Sequence, residues 1–185
     1  YVSSGCATCH SKDAKEAPGP LLKGYGSLDR IRRFMKDPNH DDFYGKNEVF
    51  AESMSEFEGT DDELAAVSNW LYALSGREAP DPQAARKGYG VFAEGEHSCT
   101  DCHNDPKRGG YGKGYKRGLD GPDLNGYLGY EWTRRVIRDA AHPSLFGTLI
   151  SSDNKKHVMP AYPDLSPDAL DLLVTWLLAG APGAD

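Results

Sequence analysis

The sequence predicts an all-α fold laid out as two tandem repeats, each a few helices long. Three observations predict it. A five-residue motif occurs twice, as Cys6-Ala7-Thr8-Cys9-His10 and as Cys99-Thr100-Asp101-Cys102-His103. A second block, Gly19-Pro20-Leu21-Leu22-Lys23-Gly24-Tyr25, matches Gly121-Pro122-Asp123-Leu124-Asn125-Gly126-Tyr127 at an offset of 102. Each repeat then closes on an apolar stretch with helical spacing.

Cys-x-x-Cys-His is the attachment pattern of a c-type haem. Two cysteines three apart can each add to one vinyl group of a porphyrin, and the next residue, histidine, supplies an axial ligand to the iron. Each repeat is therefore expected to wrap its helices around one covalently bound haem, two haem c in all. A zinc half-site would need further Cys or His at matched spacing, and all four cysteines are already used in the two motifs. A redox pair needs no adjacent histidine and has no reason to occur twice.

The 102 offset carries Arg32-Arg33 onto Arg134-Arg135, Asp37 onto Asp139, His40 onto His142 and Gly45 onto Gly147. Further on, Met54 matches Met159 and Trp70 matches Trp176. The motifs themselves are offset by 93, so the second repeat carries nine extra residues, within 104–120.

In chain order, a middle helix is expected over 28–36 and a helix capped by Thr60 and Glu63 follows, with Leu64, Val67, Leu71 and Leu74 on one side. Pro80 and Pro82 mark a linker at 77–83. A helix over 83–93, with Tyr89 and Phe92, leads into the second motif. The second middle helix is expected over 130–140. Ser166 and Pro167 open the last helix, which carries Leu170, Leu173, Val174 and Leu177 and stops at Gly180. The expected division is a first domain at 1–76 and a second at 84–185, with a basic Gly-rich insertion at about 104–120. The first repeat lacks a helix before its motif, so the chain reads as a piece of a longer protein.

With 185 residues and 38% hydrophobic content, two independent cores would be lean, and apolar haem faces would supplement them. No apolar run is long enough to cross a membrane. A net charge of −7 argues against nucleic acid as a partner. Haem is attached covalently outside the cytoplasm, which implies a periplasmic location or the outer face of the cytoplasmic membrane, with a parent protein that is itself membrane-attached as one option.

These features resemble class I cytochrome c domains in tandem, over nearly the whole chain. That family has a leading helix, Cys-x-x-Cys-His, a Gly-Pro-x-Leu-x-Gly segment, an axial methionine and a closing helix. The resemblance implies that Pro20 and Pro122 offer their carbonyls to His10 and His103. The stretch Asp37-Pro38 to Phe43-Tyr44-Gly45-Lys46 is similar to haem domains of bacterial cytochrome bc complexes, which oxidise quinol.

Met159 is the expected sixth ligand of the second haem and Met54 that of the first. Met35 competes with Met54, but it aligns with Ile137, which cannot ligate, so Met35 is expected in the core. His40 and His142 are expected as loop residues, and His97 and His157 as local polar groups. Arg33 and Arg135, each beside another arginine, are candidates to pair with haem propionates. Trp70 and Trp176 are expected on a leading helix or at a haem edge.

Seven acids and no base lie between Glu48 and Glu63, around Met54. Lys107, Arg108, Lys113, Lys116 and Arg117 make the insertion basic. These charges read either as solvated loops or as faces that dock different partners near the two haems. The expected function is single-electron transfer between a respiratory donor and acceptor: a quinol-oxidising complex, a small cytochrome or a terminal oxidase. The rivals are a dihaem peroxidase, which needs a displaceable ligand and distal acid–base groups, and a haem-based sensor, which also needs a labile ligand.

Overall fold

The computed structural model describes residues 5–11, 19–96, 99–107, 121–146 and 158–184. Among them are seven helices and no strand. The two motifs form short helices of their own, α1 (Cys6–His10) and α5 (Cys99–Cys102). Gly5 enters α1 at φ 76°, a left-handed conformation that glycine adopts at no steric cost.

The longer helices begin where local capping chemistry starts them. In α2 (Leu28–Lys36), the Ser27 hydroxyl accepts from the Arg30 amide at 3.1 Å. In α3 (Asp61–Leu74), Thr60 and Glu63 satisfy each other's backbone amides, at 3.2 and 2.8 Å. Asp81 opens α4 (Pro82–Ala93) by accepting from the amides of Gln83 and Ala84, both at 2.9 Å. The second middle helix is α6 (Tyr130–Asp139), one residue shorter than expected. Ser166 caps α7 (Pro167–Leu178), and Gly180, at φ 89°, ends it.

The connection between α3 and α4 is short and tied down. Arg77 donates to the Ser75 hydroxyl at 2.8 Å and to the Gly26 carbonyl at 2.6 Å, with its guanidinium 4.0 Å from the Tyr72 ring centre. The buried Asn69 side chain accepts from the Asp81 amide at 3.0 Å. This turn sends α4 back along α3. Trp70 of α3 then packs on Tyr89 and Phe92 of α4, with ring centres 5.9 and 4.8 Å away. Burying side chains of this size contributes roughly 1.5–3 kcal/mol each.

Packing does not follow the boundary at 77–83. One core joins Met35, Val67 and Trp70 of the first repeat to Phe92, Leu124 and Leu128 of the second. The other forms around Ile137, Leu170, Val174 and Leu177, yet Leu22 and Tyr25 of the first repeat pack against it. The two repeats are interlocked, because the helix that precedes the second motif finds its apolar partner in the helix that closes the first repeat. Met35 lies in the core at 4% exposure, with the Ser68 hydroxyl 3.8 Å from its sulfur.

Candidate functional site

The same arrangement is built around each motif histidine. The Gly19 amide donates to the Cys9 carbonyl at 2.8 Å, and the Gly121 amide to the Cys102 carbonyl at 2.9 Å. These bonds bring each Gly-Pro segment back under its motif. His10 Nδ1 then donates to the Pro20 carbonyl at 2.7 Å, and His103 Nδ1 to the Pro122 carbonyl at 3.0 Å. A carbonyl partner sets the tautomer: Nδ1 keeps the proton, and the lone pair stays on Nε2.

Glycine is required at both approaches. A Cβ on Gly19 or Gly121 would stand 2.5 Å from the imidazole Cε1 beside it. Burial pushes both imidazoles below 6.5, against the opposing pull of the carbonyl bond, and the charge of Arg30 lowers His10 further. Both rings are therefore held neutral, the form that binds a metal.

All four cysteines are free thiols. Burial raises the Cys99 thiol above its ordinary value. Paired thiols and a neutral, oriented imidazole on one turn of helix fit a covalently attached haem. Among the described residues, no cluster of three or more His, Cys, Asp or Glu is arranged to hold a bare metal ion.

Met159 is half-buried and packs against the α7 core beside Tyr162. Met54, also half-buried, precedes Phe57, whose amide donates to the Met35 carbonyl at 2.9 Å and whose ring packs on the other core. Arg33 is paired with Asp42 at 2.5 Å. Arg135 reaches the Asn125 carbonyl at 3.5 Å. Trp70 lies in the core, and Trp176 donates to the Pro182 carbonyl at 3.1 Å. His40 and His142 organise loops: His40 accepts from the Asp42 amide, and His142 from the Ser144 amide, each at 3.1 Å. His97, His157, Arg108, Lys113, Lys116 and Arg117 lie outside the described residues. Lys107 sits over the Tyr89 ring, 3.3 Å from its centre.

Arg30 is the residue that sequence reasoning passed over. It donates to the Lys23 carbonyl at 3.1 Å, lies 5.1 Å from the Phe43 ring centre, and sits near Tyr25, Tyr44 and Tyr127. The repeat gave no signal for it, since its counterpart at the 102 offset is Trp132.

Comparison with curated proteins and with solved structures finds no match. The family model described as cytochrome C oxidase, cbb3-type, subunit III matches residues 83–177, just over half of the 185 residues and most of the second repeat. The chain belongs to this family of c-type cytochromes, electron carriers whose haem is covalently bound.

Proposed function

We propose that the chain is a dihaem electron-transfer module of a respiratory complex on the outer side of the cytoplasmic membrane. One observation carries the reading: the histidine-on-proline arrangement occurs twice, at 2.7 and 3.0 Å. The family model covers only the second copy, and the first has the same parts in the same relation.

Haem iron supplies the redox change, taking up and releasing one electron at a time. The chain's residues do the rest. Cys6 and Cys9, and Cys99 and Cys102, anchor each group to its helix. His10 and His103 present Nε2 to the metal, held in orientation by Pro20 and Pro122. Met54 and Met159 serve as the thioether ligands, which raise a potential relative to a second histidine. Arg33, Arg135 and the more enclosed Arg30 offer positive charge to haem carboxylates.

Partners are redox proteins: a quinol-oxidising complex of the cytochrome bc type upstream, and a small cytochrome or terminal oxidase downstream. The stretch from Asp37 to Lys46 supports the first, and the oxidase-subunit family supports the second. The test is a haem count on protein made in a host that attaches c-type haem. Two haems per chain, both reducible and both low-spin when oxidised, are expected. One haem, or a high-spin site that binds peroxide, overturns the reading.

A further inference from the structure

We propose that the axial methionines are exchanged between the repeats, so that Met159 faces His10 and Met54 faces His103. The proposal rests on the two-haem reading above. It reverses the sequence-order expectation of Met54 with the first haem and Met159 with the second.

The two repeats meet at equivalent residues. Tyr44 and Phe146 are equivalent at the 102 offset, and their rings touch, with centres 6.5 Å apart. On either side of this point, the segment after each motif contacts the other repeat. The Gly24 amide, in the segment after the first motif, donates to the Gly180 carbonyl at the end of α7, at 2.8 Å. In the segment after the second motif, Gly129 backs onto the end of α3, where an added Cβ would lie 2.9 Å from the Ser75 carbonyl oxygen. The Tyr25 hydroxyl bonds Thr133 of α6 at 3.1 Å, and Tyr127 lies close to Arg30 of α2.

Each histidine segment is thus joined to the closing helix of the other repeat. Leu22, two residues after Pro20, packs on the α7 core together with Met159 and Tyr162. Leu124, two residues after Pro122, is part of the α3 core, and Cys99 and Phe57 pack against it. Tyr162, three residues after Met159, lies near Cys6 and Cys9.

The cause is the chain connection. The turn after α3 folds α4 back onto it, and only residues 94–98 separate α4 from Cys99. The second motif is thereby tethered beside the first repeat's closing helix, which leaves α7 for the first motif.

The test removes one attachment site at a time. With Cys99→Ala and Cys102→Ala, a single haem remains on the first motif. Adding Met159→Ala should then make that haem high-spin and abolish its weak far-red methionine–iron band. Adding Met54→Ala instead should leave both features in place. The opposite pattern, or no effect from either methionine, overturns the exchange. A second measurement uses the unaltered dihaem protein, in case the single-haem variants do not fold. Nuclear Overhauser contacts from the Met159 methyl should reach Leu22 and the haem bound to Cys6; contacts to Leu124 and the haem bound to Cys99 overturn the proposal. One haem per chain would defeat the two-haem reading and the exchange with it. Two haems with Met54 on the first would defeat the exchange alone.

Discussion

Gly88 of α4 lies directly against Trp70 of α3: a Cβ on Gly88 would stand 2.4 Å from the Trp70 Cβ and 2.3 Å from the Ala66 carbonyl oxygen. Gly88→Ala gains about 1 kcal/mol in helix propensity. It must also push backbone away from backbone, and overpacking of this kind typically costs about 1–3 kcal/mol. The clash should win, because carbonyl and Cβ atoms have no rotamer to escape into. A lower urea midpoint at unchanged slope is expected. An unchanged or higher midpoint would mean that α4 does not cross α3 at Gly88.

Gly19→Ala and Gly121→Ala test the two histidine sites as equivalents. Each added methyl meets an imidazole at 2.5 Å, which displaces the ring from its proline carbonyl. Loss of that bond makes the imidazole a weaker donor to ferric iron, so each variant should raise the potential of one haem, and it should destabilise the protein by roughly 1–3 kcal/mol. Redox titration with two resolved midpoints reads the effect. Movement of both midpoints by one substitution would argue against separate sites.

The interlock can be tested without touching a haem ligand. Thr133 is 1% exposed, and its hydroxyl meets that of Tyr25 across the repeats at 3.1 Å. Thr133→Val keeps the shape and leaves the Tyr25 hydroxyl without this partner, a change that costs about 1–3 kcal/mol when the group is buried. Thr133→Val and Tyr25→Phe together should be closer to wild type than Thr133→Val alone. A double variant as unstable as the sum of the singles would show that the bond does not hold the repeats together.

Thr60→Ala removes the hydroxyl that accepts from the Glu63 amide at 3.2 Å. The expected cost is about 1 kcal/mol, the usual value of an N-cap. Chemical denaturation followed by helical circular dichroism measures it. Ser166→Ala should cost a similar amount, and a null result in both would mean these caps are satisfied by water.

Glu52, Glu56 and Glu58 are exposed on the acidic stretch around Met54. Replacing all three with Gln should slow electron exchange with a small basic carrier at low salt. The difference should fade as salt rises, since exposed charges act over about 10 Å at 0.1 M. It should appear in the association rate. Stopped-flow rates that do not depend on these residues would leave the acids as solvated surface alone.

Secondary structure was legible because its signals are local. Ser27, Thr60, Asp81 and Ser166 each cap a helix within three residues of themselves. Met35 could be assigned to the core because the repeat aligned it with Ile137, and both are buried. The histidine–proline contacts were expected from the family resemblance and appear in both copies. Arg30 could not be found this way, since a residue unique to one repeat has no counterpart to draw attention to it.

The sequence by itself determined that there are two motifs, two Gly-Pro segments, two methionines at matching places and two closing helices, because each of these is written in contiguous residues. It could not determine which closing helix packs beside which motif. Two similar repeats present two similar apolar faces, so α3 and α7 are nearly interchangeable partners as far as composition and periodicity can show. Only tertiary structure broke that tie. The turn held by Arg77 and Asn69 folds α4 onto α3, Gly88 permits the close approach, and the remaining surfaces pair with what is left.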